Sequence, residues 1–302
     1  MGTRSSSQAL LAITTDAEKY QAGTIVSGEI VLTLKSETTL EKLKLQLKVR
    51  EKMRMEAFPL CGITESQAFY RVSYSIQLPS FKAGVRREGV HRFPFHFQIV
   101  PNFPGSFLYA ESVKKCRCAY LRYFLVAQFK QSGLKAKRSL EIYQAKPALE
   151  IPYEVKDIVP CQVCGQESEI KLQIVLGKSA YATGETAAFA VLIEPKAVRE
   201  FRLKVRLYRD LAVSSGAIAF NRLDKVGLSQ CVSQVLQPCE PVVVHLSFPL
   251  CATGRMCGSP TLQSRFIKCE YFFLLEVLAR GDCGVLKRST KVPIGIYDAR
   301  SN

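Results

Sequence analysis

A cluster of basic side chains falls between residues 114 and 138: Lys114, Lys115, Arg117, Arg122, Lys135, Lys137 and Arg138. Arginine offers a planar fork of donors and lysine a mobile point charge, so such a group suits phosphate or carboxylate oxygens. The ordinary alternative is a solvated strand face. The whole chain of 302 residues carries a formal net charge of +16, with the larger excess in its first half. That balance favours anionic partners such as lipid headgroups, phosphopeptides, acidic tails or nucleic acid, without choosing among them.

Other residues could carry chemistry of different kinds. Cys161 and Cys164 have zinc-knuckle spacing, and Cys116 with Cys118 could supply two more thiolates. A structural zinc site needs about four ligands in tetrahedral array. A redox pair would want a βαβ setting that the flanking sequence lacks. Unliganded thiols are the ordinary reading, since the 11 cysteines are odd in number and follow no secretory signal. The start Met1-Gly2-Thr3-Arg4-Ser5-Ser6 fits the N-myristoylation pattern at Gly2. One acyl chain binds membranes only marginally, and nearby basic residues would be the second signal; the ordinary alternative is an unmodified, flexible N-terminus. The 3 histidines, His91, His96 and His245, are spaced neither as ligands nor as a catalytic pair. Hydrolase elbows, Walker loops, dinucleotide fingerprints and kinase signatures are all missing. No enzymatic activity is expected.

The elements that must position these residues are strands. Leu43, Leu45, Leu47 and Val49 alternate with Lys44, Gln46, Lys48 and Arg50, which gives one buried face and one wet, basic face. Phe201 to Leu207 repeats that pattern. The repetition extends further: Tyr20-x-x-Gly23 is matched by Tyr181-x-x-Gly184, Phe93 to Ile99 by Val242 to Leu250, and Leu121 to Ala127 by Cys269 to Leu275. Four blocks in one order imply two related β modules. Short strands with Gly and Pro between them read as antiparallel sandwiches. Pro147, Pro152 and Pro160 suggest a semi-rigid linker between the halves. The stretches 54–69, 82–90, 102–118, 209–230 and 251–263 read as loops. No apolar run approaches the ~20 residues of a membrane-spanning helix.

Tyr20-x-x-Gly23-x-x-Val26-x-Gly28-x-Ile30 resembles the first strands of arrestin domains. Phe93-Pro94-Phe95-x-Phe97 followed by Pro101 and Arg122-Tyr123-Phe124-x-Val126-x-Ala127 is similar to the middle of the arrestin N-domain. Cys161-x-x-Cys164, Tyr181-x-x-Gly184-Glu185, Val191-x-Ile193-Glu194, the stretch Pro260 to Tyr271 and Val292-Pro293-Ile294-Gly295 resemble the C-domain of α-arrestins. The resemblance covers residues 9–298. It implies an adaptor that links membrane cargo to trafficking or ubiquitylation machinery. It also implies a basic N-domain site for phosphorylated tails, with no inter-domain polar switch. No Pro-Pro pair occurs, so the tail motif that docks WW-domain ubiquitin ligases is missing and any ligase would be reached indirectly.

These readings set the expectations. The fold is all-β, two tandem antiparallel β-sandwiches. A flexible N-terminus (1–8) precedes an N-domain (9–146), a segment that is both linker and entry to the second domain (147–168) and a C-domain (169–298). The function is binding of cytosolic tails of membrane proteins, in the cytoplasm at the plasma membrane or endosomes, with anionic lipid as a possible second partner. Candidate anion-binding residues are Lys114, Lys115, Arg117, Arg122, Lys135, Lys137 and Arg138. The lipidation candidate is Gly2 and the metal candidates are Cys161 and Cys164, with structural zinc the one cofactor considered. A structural subunit of a retromer-like coat is an alternative. A basic sandwich binding nucleic acid is a second, disfavoured because no aromatic-rich basic motif is present.

Overall fold

The structure is a computed structural model and describes residues 9–40, 42–57, 64–79, 81–110, 117–130, 132–144, 152–163, 166–195, 200–216, 218–235, 240–250, 260–281 and 284–297. Among the described residues every regular element is a β-strand, and no helix is long and apolar enough to cross a membrane. The chain divides into two compact units: Met1–Ala145 with Ser215–Ile218, and Lys146–Ser214 with Ala219–Asn302.

The first unit holds β1 (Ala9–Thr15), β2 (Lys19–Gln21), β3 (Ile25–Leu34), β4 (Thr38–Leu40), β5 (Leu43–Ala57), β6 (Thr64–Ile76), β7 (Gly84–Arg86), β8 (Gly89–Gln98), β9 (Phe107–Ala110), β10 (Cys118–Phe129) and β11 (Lys135–Tyr143). One sheet runs β1-β3-β8 and the larger one β2-β11-β10-β5-β6, with β9 on β10 and a small β4-β7 pair beside them. The second unit holds β12 (Tyr153–Val163), β13 (Gln166–Leu176), β14 (Ala180–Ala182), β15 (Thr186–Pro195), β16 (Glu200–Ser215), β17 (Ile218–Val235), β18 (Val242–Pro249), β19 (Leu262–Gln263), β20 (Ile267–Gly281) and β21 (Gly284–Tyr297). Its sheets run β12-β13-β15-β18 and β14-β21-β20-β16-β17, with β19 on β20. The two orders superpose strand for strand, leaving β12, β4 and β7 without counterparts. The sequence blocks occupy matching strands: β2 and β14, β5 and β16, β8 and β18, β10 and β20.

Period-two alternation builds both cores. Leu43, Leu45, Leu47 and Val49 are buried on β5, as are Phe201, Leu203, Val205 and Leu207 on β16. Aromatic rings join the two layers of each sandwich. Phe81 meets Phe93 of β8 at 5.2 Å and Phe129 of β10 at 5.9 Å. Phe273 of β20 meets Phe189 of β15 at 5.2 Å and Phe248 of β18 at 5.3 Å.

The repeated Tyr-x-x-Gly block is the corner where the chain changes sheets. Tyr20 lies on β2, which runs parallel to β11 in the larger sheet, with Ile142 opposite it. The turn closes through Thr24 N donating to Gln21 O at 3.1 Å, and Gly23 takes φ 92, a left-handed conformation that strains any side chain. The chain then enters β3 of the other sheet. In the second unit Tyr181 stands opposite Ile296, Glu185 N donates to Ala182 O at 3.1 Å and Gly184 has φ 88. Glu185 adds a cap, accepting from Ala182 N at 2.8 Å and from Lys178. Gly28, the next glycine of the first motif, stands opposite Thr15 in the antiparallel β1–β3 pair. A Cβ there would lie 2.2 Å from Thr14 O and 2.8 Å from Phe95 Cζ.

Two organisational expectations are corrected. The proline-bearing segment is no linker from Tyr153 onward: Tyr153–Val163 is β12, an edge strand antiparallel to β13 with Pro160 opposite Glu169. An edge position tolerates the missing proline donor. Residues 209–230 are not a loop but the greater part of the β16–β17 hairpin. Polar residues disguised it because some of them face inward. Arg209 and Asp224 are buried at 5 % and 7 % exposure, with Arg209 Nη2 donating to Asp224 Oδ2 at 2.6 Å and Arg222 Nε to Oδ1 at 2.5 Å. Strand extensions likewise take up parts of 54–69 and 82–90, and β9 interrupts 102–118.

Burial alone would raise the Asp224 carboxyl, but hydrogen bonds from Arg222 and Arg209 outweigh it and hold the group below the usual carboxylate range. A depressed acid stabilises the fold above its unfolded value and loses that contribution as pH falls through the folded one. Asp224→Asn should therefore destabilise the second unit by about 3 kcal/mol near neutral pH. It should also flatten the loss of stability below about pH 4, as read by urea melts across pH. Gly28→Ala should lower first-unit stability by about 1–3 kcal/mol through overpacking against backbone, measured by chemical denaturation.

Candidate anion-binding face

The exposed side of the first unit's larger sheet gathers cations from four strands. Alternation puts Lys44, Lys48 and Arg50 of β5 on that side. Register then aligns their neighbours. Arg122 of β10 stands directly opposite Arg50, and Arg50 directly opposite Arg71 of β6. Three arginines thus form one cross-strand row. On β11, Lys137 lies opposite Val126 and Lys135 opposite Gln128, which itself faces Lys44.

Like charges directly opposite on a sheet repel, and Lys48, which itself stands opposite Phe124 and Ser73, feels charged neighbours at longer range. Its ammonium is pulled below the ordinary lysine range, first by desolvation and then by Lys135, Lys44 and Arg71. Aromatic rings hold part of the array. Tyr120 lies under both Arg122, 4.7 Å from the ring centroid, and Arg50, at 5.8 Å. Lys137 Nζ sits 3.6 Å from the Phe124 centroid. A ring face attracts a cation without neutralising it.

The second unit serves as an internal control. Its equivalent face keeps the lysine-on-phenylalanine contact, with Lys291 Nζ 4.9 Å from Phe272. The place of the Arg50–Arg122 pair, however, is taken by Asp210 opposite Glu270. Where the first unit has Gln128 the second has Glu276, which pairs with Arg206 at 2.9 Å and Lys287 at 3.8 Å. One framework therefore carries a concentrated positive face in the first copy and mixed signs in the second.

Of the sequence-derived candidates, Arg122, Lys135 and Lys137 share this face. Arg138 does not: it points to the opposite side of β11, where its Nε donates to Thr15 Oγ1 at 2.7 Å and ties β11 to β1. Period two separates it from Lys137. Arg117 is half-buried immediately before β10, while Lys114 and Lys115 lie outside the described residues, as does Gly2. Lys44, Lys48, Arg50 and Arg71 were absent from the sequence-derived set. The alternation of β5 signalled the first three, but only register places Arg71 beside them.

Of the two metal candidates the structure describes the backbone of one. Cys161 lies on β12 opposite Ser168, and Cys164 is outside the described residues. Among the described residues no group of three or more His, Cys, Asp or Glu could hold a metal ion. Cys269 is fully buried and burial pushes its thiol up to about 11, which makes it a poor nucleophile. The sequence matches no family model, and no curated protein is significantly similar to it.

The like-charge coupling is directly measurable. Lys135→Gln should move the Lys48 titration upward, toward the ordinary lysine value, because one of the charges opposing protonation is gone. Side-chain NMR of the lysine ammonium groups would read that shift, and an unmoved Lys48 would show that the two residues do not share a field.

Proposed function

We propose that this protein is a non-enzymatic, arrestin-like adaptor whose first unit docks an acidic or phosphorylated segment of a membrane protein's cytosolic tail. The observation that carries the reading is the asymmetry between copies. The row Arg71–Arg50–Arg122, with Lys48, Lys135 and Lys137 beside it, has no equivalent in the second unit, where Asp210 and Glu270 occupy matching places.

Geometry favours an extended anionic chain. Neighbouring strands are about 4.8 Å apart, so the arginine row spans roughly 10 Å. Successive acidic or phosphorylated side chains of an extended peptide can bridge that distance. Arginine forks would bind the oxygens in pairs, and the lysines would add unspecific attraction. The second unit is then the structural partner of the pair. Work at the cytoplasmic surface of the plasma membrane or endosomes fits such a ligand, and anionic lipid would reinforce it.

Titrating labelled tail peptides, phosphorylated and not, against wild type and an Arg122→Glu/Lys137→Glu variant tests the reading. Both residues are exposed, so folding should be unaffected. Affinity for the acidic peptide should fall at least tenfold, and the salt dependence of what remains should flatten. Unchanged affinity would sink the proposal. Binding to phosphatidylserine vesicles alone, with no affinity for any peptide, would replace the tail with lipid as the ligand.

A further inference from the structure

A terminal strand of the first unit's larger sheet lies beside this basic face. β6 ends the larger sheet and β8 ends the smaller one, and both border one open side of the sandwich. A cavity of about 350 Å³ there is lined by Tyr74, Ile76, His96, Phe97, Val100 and Phe103, among others. A second of about 810 Å³ continues past Ser75, Ile76 and Gln77 to Leu43, Leu45, Phe81 and the lysines Lys42, Lys44 and Lys130. Together they form a groove with an apolar floor and a cationic end.

The two edges bordering the groove differ. β8 carries Pro94 at its centre together with His91, Arg92 and His96, and proline and charge both discourage strand addition. The span Val72–Gln77, at the end of β6, has no charge and no proline. Ser73, Tyr74 and Ser75 are successively exposed, with Tyr74 at 41 %. Tyr74 is braced from behind by Phe103 at 5.4 Å, which in turn stacks on Tyr123 at 5.8 Å. Among the described residues nothing pairs with this edge, and such an edge over an apolar groove is a template for an added strand. Charge selects the occupant: among the described residues, the Lys, Arg, Asp and Glu side chains lining the groove are all lysines.

We propose that the edge of β6 over Val72–Gln77 accepts an extended acidic peptide as an added strand, with alternate apolar side chains in the groove and carboxylates against Lys42, Lys44 and Lys130. This rests on the adaptor reading only for the source of the peptide, a cytosolic tail. It assigns a docking mode and a site separate from the arginine row.

The probe is a fluorescein-labelled peptide alternating Glu with Val, in three forms: unmodified, N-methylated at alternate residues, and with Gln replacing Glu. Anisotropy and hydrogen exchange are followed for wild type, Ser75→Glu, Lys44→Glu/Lys130→Glu and Arg122→Glu/Lys137→Glu. N-methylation on the pairing edge should weaken binding at least tenfold, because it removes main-chain donors, and so should Ser75→Glu. The Gln peptide and the Lys44→Glu/Lys130→Glu variant should each lose several-fold. Bound peptide should slow exchange at residues 72–77. Binding that is indifferent to N-methylation and to Ser75→Glu, or that protects a different strand, overturns the proposal. If that binding still falls in Arg122→Glu/Lys137→Glu, the adaptor reading stands without it. Strand-like binding that persists in Arg122→Glu/Lys137→Glu supports an edge site separate from the arginine row, whose own test is the titration with phosphorylated tail peptides.

Discussion

Each unit depends on a sheet-crossing corner. A sandwich needs its chain to leave one layer and enter the other without stranding backbone donors in the core. The Tyr-x-x-Gly turn does this twice, by the same bonds. Ala22 N donates to Tyr143 O at 2.9 Å, and Thr183 N to Tyr297 O at 2.8 Å. Ile99 N donates to Thr24 O at 2.9 Å, and Leu250 N to Glu185 O at 2.7 Å, which fixes the end of β8 and the segment after β18 to the corner. On the far side, Ser106 and Ile142 exchange bonds through backbone and hydroxyl, as Thr261 and Ile296 do. The larger sheet is therefore held at its parallel β2–β11 or β14–β21 edge, and its long central strands can present an uninterrupted outer face.

With the framework fixed that way, the two copies could diverge on the outside without disturbing the inside. Tyr123 and Tyr271 remain buried at 0 % and 1 % exposure, and the Lys137–Phe124 contact has its counterpart in Lys291–Phe272. Outward charges changed sign around these fixed points. A row of facing arginines is locally unfavourable, and the Lys48 ammonium beside it is depressed first by desolvation and then by Lys135, Lys44 and Arg71. Such a concentration is relieved when an anion binds. The physical link between the fold and the proposed function is that a rigid sheet holds like charges closer than they would settle by themselves.

Much of this was legible in the sequence, for identifiable reasons. Uninterrupted alternation at Leu43–Arg50 and Phe201–Leu207 gave both strands and both faces correctly. Fold class followed from the ordered repeats. The errors arose where local pattern and tertiary role separate. Arg209 and Asp224 read as loop residues because they are charged, yet they pair inside the second sandwich. Prolines near residue 150 read as a linker because an edge strand and a linker tolerate proline alike. Arg138 was grouped with Lys137 because they are adjacent, although adjacency on a strand means opposite faces.

The sequence by itself determined the period, and with it the all-β class, the duplication and the wet, basic side of each long strand. A repeat of two in the side chains needs no partner to be read. Only the tertiary structure decided which cations meet, because cross-strand neighbours are set by register and by the order of strands in the sheet. Arg71, Arg50 and Arg122 lie more than fifty residues apart at their extremes yet stand in one row. Likewise, only the assembled sheets show that β8 and β6 are both terminal strands among the described residues, the first carrying proline and the second not, because an edge is a property of the assembled sheet and not of any strand.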